Sequence, residues 1–127
     1  MRLTPHFARA ELDPLDCAER DDVLPALATL AAQLEVLRAE ICSPIVITPH
    51  GGYHPPDAVG WPRRRPTSQH RRGRAADLVV DGVLPHEVAA TIRRMIADGR
   101  MRQGGVGVYG SFVHYDTRGT VARWKGA

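Results

Sequence analysis

Apolar residues recur at Leu27, Leu30, Ala31, Leu34, Leu37 and Ile41, steps of three and four that line one face of a helix. Asp21 or Asp22 offers an N-cap, Pro25 falls in the first turn and Pro44 stops the pattern, so an amphipathic helix is predicted over 23–42. Upstream, residues 4–16 carry short helix and turn signals punctuated by Pro5 and Pro14. Downstream, Ile45-Val46-Ile47-Thr48 is a short β-branched run ended by Pro49, which reads as a strand. Residues 49–69 then hold Gly51, Gly52, Pro55, Pro56, Gly60, Pro62 and Pro66 and predict a long loop. Loops of that length inside a compact domain are uncommon and usually functional.

The second half alternates strand and helix signals. Ala75 to Asp81 reads as a strand; Pro85 opens a helix over His86 to Asp98, with Val88, Ile92 and Ile96 on one side and Gly99 as its stop. Gly105 to Tyr109 and Phe112 to Thr117 are two further strands joined tightly through Gly110-Ser111, and a last extended piece ends at Trp124. Strands bunched with helices before and between them predict an α+β fold, a mostly antiparallel sheet with helices packed on one face. With no internal repeat and no boundary signal, residues 1–127 are expected to form a single domain.

Composition narrows the class. A chain with 43% hydrophobic and 24% charged residues and a mean hydropathy of -0.26 is neither disordered nor fibrous. No run approaches the ~18 apolar residues of a membrane span, and Met1 to His6 lacks the apolar stretch of a secretory signal. Cys17 and Cys42 lie outside any C-x-x-C pattern and are expected to be reduced, buried, small hydrophobes. The formal charge is +3, and Arg63, Arg64, Arg65, Arg71, Arg72 and Arg74 fall in one stretch without an acid. That stretch is either a solvated loop or a contact for an anionic partner; without an interleaved aromatic platform, nucleic acid is the weaker partner reading.

The chemistry-bearing residues are Ser68 to Asp77 and Phe112 to Asp116. On a strand, residues two apart share a face, so His114 and Asp116 point the same way about 7 Å apart. The same alternation puts Asp77, Val79 and Asp81 on one face of the earlier strand. If the two strands are neighbours, His70, Asp77 and His114 converge, and two imidazoles with one carboxylate are the ligand set of a catalytic zinc site. Spacing alone leaves equally open a pair of ordinary core or surface histidines and an aspartate that ends a turn.

Ser68, His70, Gly73, Ala75 and Asp77 spell S-x-H-x-x-G-x-A-x-D. This signature resembles that of the zinc D-Ala-D-Ala carboxypeptidase and endopeptidase family, whose fold is shared with the Hedgehog signalling domain. The run Gly104 to Tyr109, then Ser111 to Thr117 with Arg123-Trp124, is similar to the YcbK-like murein endopeptidases of that family. With the Leu3-Thr4-Pro5-His6-Phe7 opening, the resemblance covers nearly the whole chain. It implies zinc held by His70, Asp77 and His114, with Ser68 donating hydrogen bonds near the metal or substrate and Gly73 letting the chain turn.

Two positions depart from the family pattern. Where many relatives carry Ser-Gly-Tyr-Arg after the first strand, the arginine gripping a substrate carboxylate, this chain has Gly51-Gly52-Tyr53-His54. Tyr53 and His54 are then expected near the metal, with Arg63, Arg64 and Arg65 supplying the positive charge. Several relatives place an acid three residues before the last ligand as general base, and here that position is Ser111. Asp116 and His54 are the remaining candidates for the base, Asp116 having the alternative of pairing with Arg118 or Arg123. The expected function is zinc-dependent hydrolysis of amide bonds in bacterial peptidoglycan peptides. The rival is a degenerate, zinc-containing module that only binds peptidoglycan or protein. A monomer acting in the cell envelope or periplasm, or a phage-encoded lysin, fits that substrate.

Overall fold

The computed structural model describes residues 1–18 and 22–126. The chain opens with a small antiparallel ladder, β1 (Arg2–Thr4) against β2 (Phe7–Ala8), and a single helical turn, α1 (Arg9–Leu12). Only short helix and turn signals are legible there. The ladder forms because the turn at Pro5-His6 folds the chain back on itself, and the Glu11 carboxylate then caps α1 by accepting from the Ala8 N–H at 2.9 Å. The long helix α2 (Val23–Ile41) starts at Asp22, whose side chain accepts from the Val23 N–H; the alternative cap, Asp21, lies outside the described residues. It ends at Ile41, one residue earlier than expected, because Cys42 takes the left-handed conformation (φ 58°) that closes helices.

Five strands make the main sheet: β3 (Ile45–Ile47), β4 (Ala75–Val80), β5 (Gly105–Val108), β6 (Val113–Asp116) and β7 (Ala122–Lys125), in the spatial order β3-β4-β6-β5-β7. All neighbours run antiparallel except β5 and β7, which are parallel. Helix α3 (Pro85–Ala97) crosses between β4 and β5 and packs on β4, β5 and β6. Its N-terminus is secured by Glu87, which accepts from the Leu84 N–H.

Alternation along the strands divides the sheet into two chemically different faces. Ala76, Leu78 and Val80 of β4, Val106 of β5, and Val113 and Tyr115 of β6 join Leu27, Leu30, Leu34 and Leu37 of α2 and Val88, Ile92 and Met95 of α3 in one buried core. Burying a Leu, Ile or Val side chain contributes about 1.5–3 kcal/mol each, which makes this face the source of stability. The other face carries Asp77, His114 and Asp116.

The two cysteines correct the sequence reading. Both are free and exposed, Cys17 in the bend after α1 and Cys42 at the C-cap, a position defined by backbone conformation at the surface rather than by burial. Among the described residues no helix is long and apolar enough to cross a membrane.

Candidate metal centre

Register brings the site together. Asp77 on β4 pairs directly with His114 on β6, and both side chains leave the sheet on the face away from the helices. The third group comes from outside the sheet: Gln69–Arg72 form a single 3-10 turn, absent from the sequence reading, which presents His70 over β4. Gly73 follows at φ 70° and returns the chain to the strand, with its N–H and that of Arg74 closing onto the carbonyls of His70 and Gln69. A left-handed residue is inexpensive only for glycine, which is the physical content of the glycine in the signature.

His70 Nε2 lies 3.3 Å from Asp77 Oδ1, and His114 Nδ1 lies 3.3 Å from the same oxygen. The three groups are buried and their ligand atoms lie within 4.8 Å of one another. Donors bound at 2.0–2.2 Å to one tetrahedral ion stand about 3.3–3.6 Å apart, so the spacing and the N, N, O donor set both fit zinc. His114 Nε2 is engaged elsewhere, 2.7 Å from Asp116 Oδ2, so Nδ1 is the nitrogen left to ligate.

Charge states suit that role. Burial opposes ionisation of Asp77, but hydrogen bonds from His114 and His70 outweigh it and hold the carboxyl down to about 2, an anion at any neutral pH. Burial pulls His70 below the ordinary histidine value, which favours the neutral imidazole a metal requires. For His114 burial acts the same way, yet hydrogen bonds to Asp116 and Asp77 prevail and raise it.

The centre forms one wall of an open cavity of about 890 Å³. Arg64, Arg65 and Ser68 line it, as do Tyr109, Phe112, Arg118 and Trp124. Arg64 reaches furthest in, with Nη2 3.7 Å from Asp77 Oδ2 and 2.9 Å from the carbonyl of His50. Arg63 is exposed and does not line the cavity. Tyr53 and His54, expected near the metal, are buried and neither lines the cavity: Tyr53 belongs to the hydrophobic core, and His54 packs on Trp61 at a ring separation of 4.9 Å. Its Nδ1 is 3.1 Å from the Pro55 carbonyl, and burial lowers its pKa.

Asp116 is wholly buried, and besides His114 its oxygens meet the Gly105 N–H at 2.8 Å and the Arg118 guanidinium at 2.7 and 2.9 Å. Of the two arginines considered as its partner, Arg118 is the one bound; Arg123 instead bonds the Gly104 carbonyl. Tyr109, Phe112 and Trp124 were not foreseen as cavity residues. Their signal was strand register: Trp124 sits opposite Gly107, which sits opposite His114.

The fold thus presents two imidazoles and a carboxylate at the wall of an open cavity, a donor set able to hold a metal with a position left open. The family model described as Peptidase M15 matches residues 5–116. The chain therefore belongs to the Peptidase M15 family, the zinc D-Ala-D-Ala carboxypeptidase-like peptidases. Comparison with curated proteins and with solved structures returns no match.

Proposed function

We propose that this protein is a zinc peptidase that hydrolyses amide bonds in peptidoglycan peptides, as a murein endopeptidase or a D-Ala-D-Ala carboxypeptidase. The observation that carries the reading is the convergence of His70 Nε2, Asp77 Oδ1 and His114 Nδ1 on the cavity wall. When bound there, zinc supplies Lewis-acid polarisation of a carbonyl and activation of water near neutral pH.

The chain's own residues do the rest. Asp77 and the neutral imidazole of His70 bring the negative charge and lone pairs that hold a cation. Arg64 and Arg65 give the cavity a positive rim, which suits the free carboxylates of stem peptides. Ser68 offers a hydroxyl to a backbone amide of the substrate. The stacked Tyr109 and Phe112, with ring centroids 4.4 Å apart, give an apolar wall that limits water access. A bacterial envelope setting follows from this substrate.

The binding-only reading draws support from one observation. Apart from the three ligand groups, the described residues lining the cavity include no carboxylate and no imidazole, and therefore no ready general base. Incubation of zinc-loaded protein with purified murein, followed by mass spectrometry of the soluble fragments, separates the two. Peptidase action predicts new termini at one defined bond, abolished by His70→Ala. Retention on murein with no released fragment would establish the binding module instead.

A further inference from the structure

His114 is restrained on three sides. Its Nδ1 faces Asp77, its Nε2 lies 2.7 Å from Asp116 Oδ2, and its ring packs against the Trp124 indole with centroids 4.8 Å apart. Both outer restraints pass through one residue. The Arg118 guanidinium forks onto Asp116, Nε to Oδ1 at 2.9 Å and Nη2 to Oδ2 at 2.7 Å, while its Cζ stands 5.7 Å from the Trp124 ring centroid. The backbone N–H of Arg118 adds a third bond to Asp116 Oδ1 at 3.1 Å.

The sequence leaves room for this cluster on the neighbouring strand. A Cβ at Gly105 would fall 2.2 Å from Asp116 Oδ2, and one at Gly107 would fall 2.3 Å from Trp124 Nε1. Trp124 is further fixed by donating its indole N–H to the Tyr109 hydroxyl at 2.8 Å.

An ionised carboxylate only accepts hydrogen bonds, so Asp116 holds a His114 proton on Nε2, and Nδ1, which faces Asp77 and His70, is the nitrogen a metal can take. Arginine is suited to the task because its planar fork matches a carboxylate while its face lies on an aromatic ring, and lysine can do neither in the same way.

We propose that Arg118 is the positioning residue of the metal centre, fixing the Nε2 hydrogen bond of His114 through Asp116 and its ring plane through Trp124. This rests on the zinc-peptidase reading only in taking a metal as the ligand of His114 Nδ1. On this account Asp116 serves His114 and is not the general base.

Two measurements on the full chain test it. In metal-free wild-type protein, long-range nitrogen–proton NMR should find a proton held on His114 Nε2. Zinc affinity, measured by chelator competition, should fall by about 10–100-fold in Arg118→Gln. Arg118→Lys, which keeps the charge but not the fork, should show a loss of the same kind. Wild-type affinity in both variants would overturn the proposal even if they melt earlier, since a purely structural arginine would change only melting. A bare Nε2 in wild type would overturn it whether or not the variants fold. A wild-type chain that binds no zinc would refute the functional reading, and the Nε2 measurement would still decide this one.

Discussion

Gly73→Ala perturbs the short connection between two metal-ligand candidates, and its cost can be worked from the structure. Gly73 has φ 70°, a region that disfavours an alanine by about 1–2 kcal/mol. The added Cβ would lie 2.8 Å from both Cγ1 and the carbonyl oxygen of Val23, and 3.3 Å from Leu27 Cγ. The Val23 carbonyl is helix backbone and cannot rotate aside, so the 3-10 turn must lift from the start of α2. Overpacking of that kind costs typically about 1–3 kcal/mol.

The sum is about 2–5 kcal/mol, or a melting temperature lower by about 6–20 °C at this chain length. Because the turn carries His70, zinc affinity of the folded fraction should fall as well. Thermal melts followed by circular dichroism, with and without zinc, measure both effects. A loss below about 0.5 kcal/mol, the range of a neutral surface substitution, would refute the argument that this turn is pinned against α2.

Three further outcomes are expected. His70→Ala should abolish the zinc-dependent part of thermal stability, which at a hundredfold excess over Kd amounts to about 2.7 kcal/mol in wild type; calorimetry with and without chelator reads it, and a zinc response that survives the substitution contradicts the ligand assignment. Tyr115→Phe removes a buried hydroxyl that donates to the Arg102 carbonyl at 2.7 Å, and urea denaturation should show a loss of about 1 kcal/mol, the net worth of one such bond. Glu40 is held below its ordinary pKa of 4.5, first by its hydrogen bond from Arg100 and then by the charges of Arg100 and Arg94. A depressed carboxylate stabilises above its unfolded value and ceases to as pH falls through its folded one, so the deficit of Glu40→Gln relative to wild type should shrink on acidification, and a deficit constant with pH would remove the pair from the account.

Local patterns carried most of the element reading. The three- and four-residue steps of Leu27 to Ile41 and of Val88 to Ile96 located α2 and α3, and the β-branched or alternating runs located β3 to β6. What local pattern could not carry was pairing. The return of β7 to lie parallel beside β5 depends on partners distant in sequence, and with it went the recognition that Trp124 packs on His114. The short elements were lost for another reason. A two-residue strand and a four-residue 3-10 turn have no periodicity to detect, and each depends on neighbours, as the 3-10 turn does on Gly73 and α2.

The candidate ligands were legible because a signature and strand alternation agreed on them. Tyr53 and His54 do not line the cavity because the loop from Gly51 folds inward: the Tyr53 N–H bonds the Leu12 carbonyl at 2.7 Å, and the ring is buried in the core. Nothing in a Gly- and Pro-rich composition distinguishes a loop that packs down from one that reaches across a cleft. Arg118 was weighed only as a partner for Asp116, since its second contact, to Trp124, exists only through the sheet.

His70 and His114 stand 44 positions apart, and the intervening chain contains all of β4, α3 and β5. An ion held by both would therefore act on the chain's connectivity as a cross-link around two strands and a helix, and not as a clip on one turn. Closing a loop of that length in the unfolded chain costs about 3 kcal/mol of entropy, a cost that pairing of the strands removes before the ion binds. Occupancy would then report on folding itself. Ion loss would loosen the order of β4 and β6 together, and partial unfolding at either strand would release the ion, tying the lifetime of the charged centre to the opening rate of the sheet's middle.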